Sequence, residues 1–465
     1  MPRSREKAGE QLSSRPCDLT IAEAARRFRD GVLTPTALME SLLAQVRHLD
    51  PSLRAWATIV EERALESAHQ AEREMSGPGG PRSTLHGIPV GIKDNYYTAA
   101  MRTTMGSPLF DKFVPEYDAT SVALLKQAGA VVMGKTVTTQ FASLEPAETC
   151  NPWNLEHTPG GSSSGSGAAV AARMCPAALG TQTGGSVIRP AAYNGVVGLK
   201  PTHGLISLFG IFPVSWSLDT PGILARSVED VAIVLQVLAA HDQYDQESLD
   251  TGMHDYPGAS LRLDCMPRIG LLKTFFLERA ALEVVREVER AGEELAGAGA
   301  SVEEASLPLN FDAALEAQAV LQGVESAVVH RDMYAKHREL YGRKVQEQIE
   351  GGLKASAVSY AMAKQLQSVF AANVGESLMP FDVLLVPATE VPAPSGLHGT
   401  GDPLFQRAWT YAGVPVITLP IGLSKDGMPV GVQLIGRKLD EGRLLAVARW
   451  CERVFAFAEI PSIAR

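Results

Sequence analysis

Residues 157–202 read HTPGGSSSGSGAAVAARMCPAALGTQTGGSVIRPAAYNGVVGLKPT. Nine of the chain's 42 glycines fall between Gly160 and Gly198, where only Arg173 and Arg189 are charged. A flexible Gly/Ser linker would not run on into an Ala/Val helix and then a second Gly-Gly-Ser turn. Gly161-Ser162-Ser163-Ser164-Gly165 satisfies the GxSxG pattern of a nucleophile elbow literally. That motif needs a strand entering a sharp turn, and Glu156-His157-Thr158-Pro159 makes a poor strand. A phosphate loop fits less well still, because GxxxxGK[ST] is absent and no GxGxxG follows a strand.

Outward from this stretch, short apolar runs alternate with helical patterns. Ile88 to Lys93 (IPVGIK) reads as a strand, 119–129 as a helix, AVVMGK as a strand, and GAAVAARMCPAALGTQ as a helix leading to another short strand. Upstream, two segments carry apolar residues at helical spacing, with Thr20 and Thr34 as N-caps and Pro35 at the first helical position. A third helix is expected over about 60–75, then helices over 226–240 and 278–299 and an almost wholly helical stretch over 311–379. DVLLVPAT, VITLPIGL and PVGVQLIG return to strands. This alternation predicts an α/β fold, a large central mixed β-sheet covered by helices on both faces. Strand material on either side of 311–379 makes that stretch a peripheral layer on one core.

The expected organisation is a disordered tail over 1–16, rich in charge with nothing to bury, and a single domain over 17–465. Within it lie N-terminal helices (about 20–75), a core (about 83–240), the helical layer (about 311–379) and C-terminal strands and a helix (about 380–460). Length alone allows three average domains or one large one. The composition, 45% hydrophobic and 20% charged, is that of a soluble globular protein. Lys plus Arg is 42 against 52 Asp plus Glu, a net charge of -10, which leaves no electrostatic footprint for nucleic acid or an anionic membrane. Cys17, Cys150, Cys175, Cys265 and Cys451 show neither zinc-site nor disulfide spacing. The N-terminus lacks the apolar region of a secretory signal, and no apolar run nears the ~20 residues of a membrane span. A cytoplasmic protein is expected.

A serine hydroxyl becomes a nucleophile when a base takes its proton, and the N–H groups of a Gly-rich turn can hold the resulting oxyanion. Thr183-Gly184-Gly185-Ser186 supplies such a turn. Of the histidines, only His86, His157 and His203 lie near these motifs, and no acid is plainly placed to orient them. Lysine serves as the base if burial brings its pKa from ~10.4 toward ~7–8. Lys93, at the end of HGIPVGIKDN, is placed for that.

These blocks together resemble the amidase signature family of Ser-Ser-Lys amidohydrolases. Its Gly/Ser-rich core appears at Gly160 to Ser166 and Thr181 to Ala191, its lysine strand at HGIPVGIKDN, and its C-terminal motifs at Gly413 to Gly422 and Met428 to Gly436. The likeness spans about residues 20 to 455. It implies a single amidase-signature domain and a triad in which Ser186 is the acylated nucleophile. Ser162 is the proton-relaying serine held by a cis peptide, and Lys93 is the neutral base. It further implies an oxyanion hole from the N–H groups of Thr183, Gly184, Gly185 and Ser186, support from Ser163, and no metal or organic cofactor.

Three positions depart from the commonest pattern: Gln182 stands where Asp is usual, Arg189 sits three residues past the nucleophile, and the serine block carries an extra serine at 164. Arg189 either ties the turn to the chain or holds a substrate carboxylate, as in a malonamide-type amidase. Candidate pocket residues are Tyr97, Gln140, Leu144, Phe212 and Trp216, and the aromatics among them favour an aryl group. The leading expectation is therefore a free-standing amidase for a small or aryl amide or anilide, extending to carbamates (a urethanase) and aryl esters. Its partners would be that small molecule and a possible second copy in a homodimer, with no nucleic acid and no membrane. The alternatives are an A-type subunit of a tRNA-dependent glutaminyl amidotransferase, against which the -10 charge and Gln182 weigh, and a catalytically dead amide-binding protein.

Overall fold

The computed structural model describes residues 15–465. Residues 1–14 of the expected tail thus lie outside the described residues, and Pro16–Asp18 forms a short 3-10 turn with Cys17 buried. The N-terminal helices begin where the sequence places their caps. Thr20 closes a capping box with Glu23 at the start of Ile21–Arg29, and Thr34 accepts the Ala37 N–H ahead of Pro35–Leu53.

Among the described residues eleven strands form one sheet: β1 (Trp56–Ile59), β2 (Pro89–Lys93), β3 (Val131–Thr136), β4 (Ala177–Gln182), β5 (Val197–Lys200), β6 (Thr220–Ala225), β7 (Arg268–Leu272), β8 (Ser301–Ala305), β9 (Val383–Pro387), β10 (Val416–Leu423) and β11 (Pro429–Ile435). Their spatial order is β1-β3-β2-β4-β6-β5-β10-β11-β9-β7-β8. β2 runs parallel to β3 and β4, β7 runs parallel to β8 and β9, and the other pairs are antiparallel. The fold is mixed α/β, as the alternation of patterns predicts. Every residue of β2 and β4 is buried, the signature of central strands covered on both faces.

The stretch over 311–379 is three helices, Phe311–His337, Arg343–Lys354 and Ala357–Leu378. A second apolar cluster, which includes Phe276, Phe311, Phe370, Phe405 and Trp409, fastens the first and third of them to the β7–β9 end of the sheet, while Val345 and Ile349 of the second pack with Phe141 and Phe212. The helix expected from GAAVAARMC starts earlier, at Ser164, and all eight residues of Ser164–Ala171 are buried. Gly165 permits that depth. Its N–H donates to Val137 O at 2.9 Å, and a Cβ there would stand 2.1 Å from Ala55 O and 2.3 Å from Val137 N. Both obstacles are backbone, so Gly165→Ala is expected to cost about 1–3 kcal/mol or more, seen as a lower melting temperature or lost expression.

Candidate active site

β2 and β4 are parallel neighbours, and their C-terminal ends bring Lys93 and the 183–186 turn together. Lys93 is 0% exposed. Its Nζ lies 2.8 Å from Ser162 Oγ, 2.8 Å from Thr181 Oγ1 and 3.4 Å from Thr181 O. Burial drives its pKa well below the usual 10.5, with the Asp219 carboxylate opposing the shift. A neutral amine has two N–H groups and one lone pair. The two Thr181 oxygens can take both N–H groups, which leaves the lone pair for the Ser162 hydroxyl.

The loop carrying Ser162 is bonded along its length, and its Gly161–Ser162 peptide is cis. Asn194 Nδ2 donates to Pro159 O at 2.8 Å, Ser164 Oγ to Gly160 O at 2.6 Å, Arg189 Nη2 to Gly161 O at 2.6 Å, and the Thr139 N–H to Ser162 O at 3.1 Å. Ser163 Oγ lies at 3.3–3.4 Å from the backbone of Thr181. Arg189 thus ties to the loop through Nη2, while its Nε and Nη1 are buried without a hydrogen-bond partner among the described residues. It also donates to Thr400 Oγ1 at 3.2 Å, although it lines the cavity below.

In the turn after β4 the carbonyls of Thr183, Gly184 and Gly185 are occupied. Gln318 Nε2 donates to Thr183 O at 3.0 Å, Thr410 Oγ1 to Gly184 O at 2.7 Å, and the Arg189 N–H to Gly185 O at 2.9 Å. The N–H groups of Gly184, Gly185 and Ser186 meet no protein acceptor among the described residues. Gln182 explains its own departure from the usual Asp. Its Oε1 accepts the Val187 and Ile188 N–H groups at 2.9 and 3.0 Å, while its Nε2 donates to Thr410 Oγ1 at 3.0 Å. A carboxylate could make the first two bonds but not the third. A Cβ at Gly185 would stand 2.3 Å from Gln406 Oε1, so a side chain there would displace the Gln406 carboxamide.

Ser186 and its turn open on a cavity of about 370 Å³. Its other walls include Ser143, Leu144 and Arg189, then Gln318, Gln322 and Gln348 from the helical layer, and Arg407. The Arg407 side chain has no ion-pair or hydrogen-bond partner among the described residues, and its Nε is buried. Of the expected pocket residues, only Leu144 and Arg189 line this cavity. Tyr97 packs edge-on against Phe113 and Tyr117, and Phe212 against Phe110. Trp216 is 38% exposed. Gln140 pins the helical layer, donating to Leu340 O at 2.8 Å and accepting the Gly342 N–H at 2.6 Å. The three glutamines and Arg407 could not be singled out from the sequence, because they stand some 130 to 220 residues beyond the Ser186 turn and carry no motif.

The model of the family described as Amidase matches residues 37–445. The chain belongs to that family. It is accordingly an enzyme acting on amide C–N bonds. The A-subunit of glutamyl-tRNA(Gln) amidotransferase from Syntrophus aciditrophicus (strain SB) is 36% identical over 94% of this chain and 97% of its own length. Its counterpart from Pseudomonas putida (strain W619) is 37% identical over the same shares. Among solved structures, native peptide amidase from Stenotrophomonas maltophilia superposes with a TM-score of 0.83 at 32% identity, covering 96% of this chain and 99% of that one. A chain from a vestigial complex connected with the origins of an s-triazine catabolic enzyme gives a TM-score of 0.89 at 27% identity, over 95% and 100%.

These relatives correct two expectations. The free-standing enzyme for small or aryl amides, carbamates and aryl esters gives way, because the near-full-length relatives are named as one component of a tRNA-dependent amidotransferase. The partner set of a small molecule alone, with nucleic acid excluded, falls with it. The physical reason is visible in the amidase cavity. Tyr97 and Phe212, which suggested an aryl group, are spent on packing around Phe141 and the helical layer, and the cavity walls combine carboxamides, guanidinium groups and Glu347 with aliphatic residues such as Leu144 and Val320.

Lys93 also makes a stability prediction. Its native pKa lies below its unfolded value, so the unfolded chain binds the extra proton and stability rises with pH through that window, up to about 10.5. Lys93→Met should melt higher than the parent at pH 7, by a margin that narrows as pH approaches 10.5, measured by thermal denaturation across that range.

Proposed function

We propose that this chain is the amide-cleaving component of an amidotransferase, of the kind named as the A-subunit of glutamyl-tRNA(Gln) amidotransferase. In this reading it hydrolyses the carboxamide of a small polar donor and passes the ammonia to a partner's site. The observation that carries it is a cavity beside Ser186 with Gln318, Gln322, Gln348 and Arg407 standing among otherwise largely apolar walls, in a chain matching such proteins over nearly their whole length. The net charge of -10 fits a division of labour in which a partner meets the tRNA. Such work belongs in the cytoplasm, and one sheet running through residues 56–435 supports treating 17–465 as a single catalytic unit.

Neutral Lys93 takes the Ser162 proton as Ser162 takes that of Ser186, and Ser186 Oγ bonds to the carboxamide carbon. The free N–H groups of the turn receive the oxyanion, where losing one donor typically costs ~10²–10³ in rate. As the tetrahedral adduct collapses, the relay returns the proton to nitrogen, the C–N bond breaks and ammonia leaves. Water then attacks the acyl ester along the same relay, giving the carboxylic acid and restoring Ser186. Ser163 and Arg189 serve by holding Thr181 and the cis loop.

Ammonia release from a panel of polar primary carboxamides and matched anilides tests this. The carboxamides should be preferred, Ser186→Ala should lose about 10⁴-fold or more of kcat, and Arg407→Gln should raise KM with little change in kcat. Parental ammonia release by Ser186→Ala, or a preference for anilides, would sink the reading.

A further inference from the structure

Asp219 stands outside the proposed triad and bonds to Thr183, the first residue of the turn that ends in Ser186. It lies just before β6, 4% exposed. Its Oδ1 accepts the Thr183 hydroxyl at 2.5 Å, and its Oδ2 accepts the Val214 and Ser215 N–H groups at 2.8 and 3.0 Å. Thr183 opens the turn whose N–H groups are free. Thr181, two residues earlier on β4, holds Lys93 Nζ. A single buried carboxylate therefore grips the turn through Thr183, and its charge favours the protonated form of the buried Lys93 amine.

The loop that Asp219 closes is gripped on its other side by Glu325, 0% exposed on the Phe311–His337 helix. Glu325 Oε2 accepts the Ser215 hydroxyl at 2.6 Å and the Ser217 N–H at 3.0 Å. The charged and titratable groups acting on Asp219 and Lys93 are thus each other, Tyr96 after β2, and Glu325 from the helical layer. Burial, with a further push from Glu325, raises Asp219 to about 6 against the hydrogen bonds that favour its charge.

We propose that Asp219 is a positioning residue with two tasks: it fixes Thr183 and with it the oxyanion turn, and its negative charge sets how strongly Lys93 binds a proton. The inference rests on the triad reading above. The turn needs Thr183 held because its N–H donors stabilise an oxyanion only where they already point. Lys93 needs the charge because desolvation alone makes the amine a feeble base, and an anion nearby restores part of its proton affinity.

The two tasks separate experimentally. Asp219→Asn keeps the shape and removes the charge, while Thr183→Val removes the hydrogen bond and keeps the charge. Measured across pH on the best carboxamide, both variants should lower kcat about tenfold or more with KM nearly unchanged. Only Asp219→Asn should move the acid limb of kcat/KM, by about one pH unit toward lower pH, because Lys93 then loses its proton earlier. An unmoved limb in Asp219→Asn, or a limb moved equally by Thr183→Val, overturns the inference. So does parental kcat in either variant. Should Asp219→Asn not fold, Asp219→Glu takes its place. With the charge retained, the limb should stay while kcat falls, and a displaced limb or unchanged kcat again overturns the inference. Ser186→Ala in the same assay keeps the two readings apart: activity there removes the triad itself, whereas an inactive Ser186→Ala beside a parental Asp219→Asn removes only the role of Asp219.

Discussion

Burying the Lys93 amine is the constraint from which the site is built. A primary amine in water is protonated at neutral pH and useless as a base; at the end of a strand buried on both faces it is held against that charge. The cost is tolerable only because each of its hydrogen-bonding positions has a partner, Thr181 twice and Ser162 once. Those partners must come from different places in the chain. The parallel pairing of β2 with β4 supplies Thr181, and the drop of the Ser164–Ala171 helix into the core supplies Ser162 at its head.

The turn after β4 obeys a second rule, that a donor is useful only if nothing else has claimed it. The protein meets this by satisfying the carbonyls of the turn from outside, through Gln318 and Thr410, so that the peptide planes are set without spending their N–H groups. The helical layer therefore does more than cover the sheet. Gln318 reaches from it to Thr183 O, and Glu325 from the same helix holds the loop that ends at Asp219.

Much of this was legible in the sequence, and for identifiable reasons. IPVGIK, VITLPIGL and PVGVQLIG are long, apolar and β-rich, so they stand out as strands, and Thr34-Pro35 announces a helix start by its own chemistry. β1 has four residues, β8 (SVEEA) is a mostly exposed edge strand, and β6 (TPGILA) carries Pro and Gly, so local pattern hides them. At the site, the serines and glycines declare themselves because their chemistry needs those residue types close together in sequence, and Lys93 because it ends an otherwise apolar strand. The cavity walls do not. Gln318, Gln348 and Arg407 matter through where the helices and loops fall, which no local periodicity encodes. Aromatic residues near a signature misled in the other direction, since Phe212 and Tyr97 serve packing.

One detail of the serine loop bears on how a proton could travel through it. With every carbonyl from Pro159 to Ser162 already bonded to a fixed donor, the backbone has little left to rearrange during a turnover. What can still turn is the C–O bond of the Ser162 hydroxyl. In the proposed relay, a proton would pass through that single rotor while the hydrogen-bonded frame around it stands still.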